Sequence, residues 1–248
     1  MRIAAAVQTE LGYKRTNNED SYLKLDTFDF FAIADGMGGH NAGEHASRIA
    51  IAALNSYRQQ ADNGDIPVPE ILSAAFSEAH ESVMSSMSRH PERAGMGTTL
   101  SAVMFRFGKA YIAHVGDSRV YLSRNKETQQ LTKDHGNMYG LSNVIGCRQD
   151  LYLGPQLIET DLKSGDIFTI CSDGFSDYAD AAKTNDLMLY GAGFASLTTE
   201  GRKKVLQERG DRGCFSNPEI LANEFVQYAL NQGGRDNVTV LVMIVKGD

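Results

Sequence analysis

Four short turns each place an aspartate beside a segment that reads as a β-strand: Asn18-Glu19-Asp20, Asp35-Gly36-Met37-Gly38-Gly39, Ser172-Asp173-Gly174 and Arg235-Asp236-Asn237. A strand end projects its side chain from a rigid backbone. Several ends meeting at one sheet edge would gather Asp20, Asp35, Asp173 and Asp236, and such a cluster repels itself and raises its own pKa values. Divalent cations relieve the repulsion. An all-oxygen set without cysteine or obviously paired histidine favours hard Mg²⁺ or Mn²⁺ over Zn²⁺, and two ions are plausible. A single Asp-Gly pair is ordinary turn chemistry, but that reading weakens sharply when four such turns adjoin strands.

The flanking sequence supplies the strands. Residues 3–8, 21–25 and 28–34 are β-branched, aromatic or alternating, and residues 41–60 and 69–89 carry apolar side chains at helical spacing. Residues 98–107, 110–115 and 119–123 read as a meander broken by Gly108 and Gly116-Asp117. Strands follow at 156–161, 166–171 and 238–245, with a helix at 218–231. Strands in runs and helices in other runs predict α+β layers rather than alternating βαβ units. Residues 183–216, interrupted by Gly191, Gly193, Gly210 and Gly213, read as an inserted loop or small subdomain within one domain spanning 1–248.

With 248 residues, 42% of them hydrophobic, the chain can bury one sizeable core. A net charge of -7 argues against nucleic acid as a partner. Cys147, Cys171 and Cys214 form no paired motif, and no stretch approaches the roughly 20 apolar residues of a membrane span. The expectation is a soluble, cytoplasmic monomer that avoids membranes.

In sequence order, the run from Gly12 to Asp20, then Asp35-Gly36-Met37-Gly38-Gly39-His40, Gly97-Thr98-Thr99, Gly116-Asp117-Ser118-Arg119, Ser172-Asp173-Gly174 and Gly234-Arg235-Asp236-Asn237 resembles the metal-dependent PPM family of protein phosphatases, type 2C, in its bacterial form. The resemblance implies a four-layer α-β-β-α sandwich, two antiparallel sheets face to face with helices on both outer sides. It implies hydrolysis of phosphoserine and phosphothreonine in other proteins, opposing a Ser/Thr protein kinase, by in-line attack of a hydroxide bridging two divalent metals and without a phosphoenzyme. Asp35 would bridge both ions, with the Gly36 carbonyl, Asp20, Asp173 and Asp236 serving the cluster and Glu19 acting through water. Arg15 would bind the substrate phosphate, and Asp117 and Asp177, with Asp173, match a third metal site. Partners so implied are phosphorylated proteins, including a kinase and its targets.

The sequence departs from the family where many relatives outside bacteria carry a histidine, proposed to protonate the leaving oxygen; here Met37 stands, and it cannot donate a proton. His40 is assigned to loop support, and His45, His80, His90, His114 and His135 to structural or surface roles. Similar bacterial enzymes place a longer flap segment between Asp134-His135 and Leu141 to Gly146, so the flap reads as truncated, and residues 183–216 could instead shape substrate access. A dinucleotide-binding turn at Gly36-Met37-Gly38 is the rival enzyme reading; Asn41 stands where its third glycine belongs, and Asp35 would oppose a pyrophosphate. A non-catalytic phosphoprotein-binding module is the other rival, and retention of all four aspartates argues against it.

Overall fold

Long strands that are apolar at nearly every position must be covered on both faces. The computed structural model, which describes residues 1–38, 42–60, 66–137, 140–190 and 217–247, arranges them in two antiparallel sheets. The first runs β1 (Arg2–Glu10), β14 (Val238–Lys246), β13 (Ile167–Cys171), β7 (Arg119–Arg124), β8 (Glu127–Gln130). The second runs β11 (Ile145–Gly146), β4 (Gly97–Thr98), β3 (Phe30–Met37), β5 (Leu100–Arg106), β6 (Lys109–Val115), β12 (Gln156–Asp161), with β2 (Asp20–Leu25) also paired to β3. A small hairpin joins β9 (Gly136–Asn137) to β10 (Gly140–Leu141).

The two-residue period sorts each strand between two cores. On β3, Phe31 and Ile33 meet Phe168, Ile170, Leu241 and Met243 of the first sheet, while Phe30, Ala32 and Ala34 pack outward under α1 (Ala42–Ser56) and α2 (Val68–Arg89). On β14, Val240, Val242 and Ile244 face α3 (Asp173–Ser176), α4 (Ala181–Tyr190) and α5 (Pro218–Asn231), where Phe175, Leu187 and Phe225 cover them. This is the four-layer sandwich. Each fully buried phenylalanine contributes about 1.5–3 kcal/mol. Helix starts are written locally: Pro218 opens α5, and the Asn217 side chain accepts the Glu219 N–H at 2.8 Å.

Three sequence expectations are corrected. Residues 119–123 do not continue a meander; β7 leaves β6 and joins the other sheet, pairing with β13. The crossing is made at Gly116, whose φ is +108° and where a Cβ would stand 2.6 Å from the Thr99 side chain. Residues 98–107 divide into β4 and β5 on either side of Thr99, although both segments keep one register along β3. Residues 183–190, read as irregular, lie in α4; the remainder of that expected insertion, 191–216, is outside the described residues. Among the described residues, no helix is long and apolar enough to cross a membrane.

Candidate active site

Register alone brings two of the aspartates together. In the β2–β3 pair Asp20 stands directly opposite Asp35, a placement of like charges that destabilises a strand pair. From the first sheet, Asp173 opens α3 just beyond the end of β13, and Asp236 precedes β14. The sheets are tied at this edge by Asp20, whose Oδ2 accepts from Ser172 Oγ at 2.9 Å and from Thr239 Oγ1 at 2.6 Å. Its Oδ1 is buried with no hydrogen-bond partner among the described residues.

The electrostatics follow from this crowding. Burial pushes the Asp20 carboxyl up to about 6, although the Thr239 and Ser172 hydroxyls favour its ionised form. Burial, then the charges of Asp117, Asp236 and Asp177, carries Asp173 up to about 7. Asp35 lies well above the usual carboxylate range, through burial and then repulsion from Asp20, Asp173 and Asp117. By surface area all three residues keep some contact with water, so the burial that leads each shift is partial, and repulsion among the carboxylates adds to it.

The other predicted residues surround this group. Burial raises Asp117 and Asp177, and the Arg119 guanidinium partly opposes both shifts; Asp177 is exposed. Glu19 is raised by burial; its N–H reaches Asn237 Oδ1 at 2.9 Å, and its carbonyl accepts Gly36 N–H at 3.2 Å and Ser47 Oγ at 2.6 Å. Arg15 Nη2 rests 2.5 Å from Asp236 Oδ2, and the charges of Glu19 and Asp173 add to that pairing. Met37 ends β3 opposite Gly97. His40 falls outside the described residues. His114 is buried and held down at about 3 by burial, stacked on His135 with ring centroids 4.9 Å apart, so its ring is uncharged near neutral pH. Asp134 and His135 are both tied back to the segment around Gly116: Arg119 Nη2 holds Asp134 at 2.8 Å, and His135 N–H donates to Gly116 O at 2.7 Å.

Several positioning residues lie in or beside the motifs, but their roles show only once the register is known. Asn237 is one: besides accepting from Glu19, its Nδ2 donates to Leu11 O at 2.9 Å and Asn17 O at 3.0 Å, joining three segments. Thr99 is another, accepting Asp35 N–H at 3.0 Å on Oγ1 and returning its own N–H to Asp35 O at 2.9 Å. Ser172 lies within the Ser-Asp-Gly turn, which makes it findable. Thr239 looks like any β-branched strand residue.

Among the described residues, no three His, Cys, Asp or Glu side chains stand already arranged around one ion. The hydroxyls on Asp20 and the guanidinium on Asp236 account for two of these carboxylates. The donor set nevertheless fits a hard cation, because Asp20 presents a buried oxygen without a partner and Asp35 is crowded by three like charges. Gly36 has a packing reason as well: a Cβ there would stand 2.2 Å from Gly43 O and 2.6 Å from Glu19 O. Gly36→Ala is therefore expected to cost about 1–3 kcal/mol of stability. A denaturant midpoint equal to that of the wild type would show that the backbone gives way freely.

Comparison with known proteins agrees with this architecture. Residues 9–209 match the family model described as "Protein phosphatase 2C". The chain is 31% identical over 256 residues to the serine/threonine protein phosphatase PstP of Mycobacterium tuberculosis, covering 96% of this chain but 44% of that protein, so it spans under half the length of that relative. It is 28% identical to the protein phosphatase PhpP of Streptococcus pneumoniae, covering 95% of this chain and 94% of PhpP. Among solved structures, the catalytic domain of PstP in complex with two manganese ions superposes with a TM-score of 0.79 at 29% identity, covering 99% of both chains. By fold, by the order of its motifs and by a family match over most of its length, the chain belongs to the protein phosphatase 2C family.

Proposed function

We propose that this protein is a divalent-metal-dependent protein phosphatase that hydrolyses phosphoserine and phosphothreonine in other proteins, opposing a Ser/Thr protein kinase in the cytoplasm. The observation that carries the reading is the Asp20–Asp35 register pair, with its orphaned Oδ1, at an edge shared with Asp173 and Asp236. Asp35, Asp20, Asp173, Asp236, the Gly36 carbonyl and Glu19 would hold two Mg²⁺ or Mn²⁺ ions, and Asp117 and Asp177, with Asp173, a third. When bound, such ions acidify water for in-line hydrolysis without a phosphoenzyme and stabilise charge on the phosphoryl group.

The chain's own groups do the rest. The Arg15 guanidinium, already at the mouth of the cluster, offers two phosphate oxygens a planar pair of donors once it leaves Asp236. Ser172 and Thr239 orient the Asp20 carboxylate, and Thr99 fixes the backbone of Asp35. The test is phosphate release from a phosphothreonine peptide with Mn²⁺, Mg²⁺ or chelator. Turnover is expected with either ion and none with chelator; retention of the phosphopeptide without release under every condition would favour a binding module instead.

A further inference from the structure

The segment after β1 and the turn before β14 are closed on one another at the mouth of the site. Tyr13 N–H donates to Gly234 O at 2.6 Å. A Cβ at Gly12, where φ is +76°, would lie 2.2 Å from Asp236 O, and one at Gly234 would lie 3.0 Å from Tyr13 Cδ2. Glycine at both positions lets the two backbones touch, so Tyr13, Lys14 and Arg235 ride on a fixed frame beside Arg15 and Asp236.

This frame shows solvent an aromatic ring and two cations. Tyr13 is 67% exposed, and Lys14 and Arg235 are exposed with no ion-pair partner among the described residues. Elsewhere Lys24, Arg48, Lys109, Arg119, Arg124 and Arg148 each sit on a carboxylate, whereas Arg2, Lys133 and Lys163 share the exposed, unpaired state among the described residues but lie away from the acidic edge. In a chain of net charge -7, two cations unpaired among the described residues therefore adjoin in sequence Tyr13 and the Gly234 that touches its ring, at the edge where a phosphoryl group would be processed. The nearest opposing charge in sequence is Asp236, directly after Arg235, and it is already held by Arg15. An exposed tyrosine offers a rigid apolar face with a polar tip, suited to packing against an extended peptide.

Resting on the phosphatase reading, we propose that Tyr13, Lys14 and Arg235 form a substrate-docking rim selective for phosphopeptides with acidic side chains next to the phosphorylated residue. Tyr13 packs against the peptide, and Lys14 and Arg235 pair with its flanking carboxylates. Arg15 is left for the phosphate itself.

The experiment compares phosphothreonine peptides that differ only in flanking Glu, Gln or Lys, together with p-nitrophenyl phosphate, which has no flanking side chains for the rim to hold. Wild-type kcat/KM is expected to fall in the order Glu, Gln, Lys, with the difference carried by KM and reduced at high salt. For a Lys14→Gln, Arg235→Gln double variant the Glu-over-Gln preference should shrink roughly 3- to 10-fold, the range for two exposed ion pairs. Lys14→Glu should turn the preference toward Lys peptides, and p-nitrophenyl phosphate turnover should stay unchanged in both. A wild type indifferent to the flanks, or variants that slow every substrate equally, would overturn the rim. No turnover of p-nitrophenyl phosphate with either metal would overturn the parent reading, and the rim with it.

Discussion

Asp35→Asn is expected to lower metal-dependent phosphate release by roughly 10²–10³-fold or more, the range for losing one preorganised charge-stabilising group. The substitution keeps the shape of the side chain and removes one of the charges that Asp20, Asp173 and Asp117 oppose. The metal-free variant should therefore melt no lower than the metal-free wild type, so lost activity would not reflect lost fold. Asp236→Asn should be similarly damaging to turnover while giving up the exposed Arg15 pair, which contributes about 0–1 kcal/mol. Activity within tenfold of the wild type for Asp35→Asn would remove this residue from the reaction.

The second large effect concerns stability. The folded Asp20 pKa of about 6 lies above its ordinary 3.8, so the folded chain holds that proton more tightly than the unfolded one. That contribution is fully present below about pH 3.8 and is lost as pH rises through about 6; for Asp173 the loss extends through about 7. For Asp20 alone the swing is on the order of 3 kcal/mol at most, since the residue still meets water. His114, held down at about 3, acts in the opposite sense, supplying stability above its ordinary 6.5 that is lost toward 3.

The readout that isolates the carboxylates is the difference between metal-loaded and metal-free melting temperatures at each pH, in which His114 cancels. At 100 times Kd a cation adds about 2.7 kcal/mol, roughly 5–10 °C for a chain of this size. That gain should be largest near pH 8 and shrink toward pH 5.5, where the cation must displace protons. A gain independent of pH, or no gain from Mn²⁺ or Mg²⁺, would contradict cation binding at these groups.

Much of this was legible because its causes are local. The helix Pro218–Asn231 reads directly from the sequence, since Asn217 and Pro218 mark its start, and the strand Gln156–Asp161 reads from its alternation. Asp20, Asp35, Asp173 and Asp236 are legible as strand-end residues for the same reason. The sheet to which β7 belongs is not, because Arg119–Arg124 is apolar enough for either sheet and the turn at Gly116 decides between them. The short edge strand Glu127–Gln130 is polar and carries no hydrophobic pattern at all. Thr239 becomes meaningful only once register places its hydroxyl on Asp20, beside that of Ser172.

The pairing of Arg2–Glu10 with Val238–Lys246 has a consequence for how the molecule comes into being. Arg15 and Asp236 are separated by 221 positions, and contacts of such separation form late and slowly because loop closure precedes any reward. While the chain is being synthesised, Asp20 and Asp35 can stand hydrated at the end of a local hairpin, each charge screened by water. β14 is the last of these strands to be made, and the turn before it carries Asp236, so the fourth aspartate joins an edge where Asp20 and Asp35 already oppose one another.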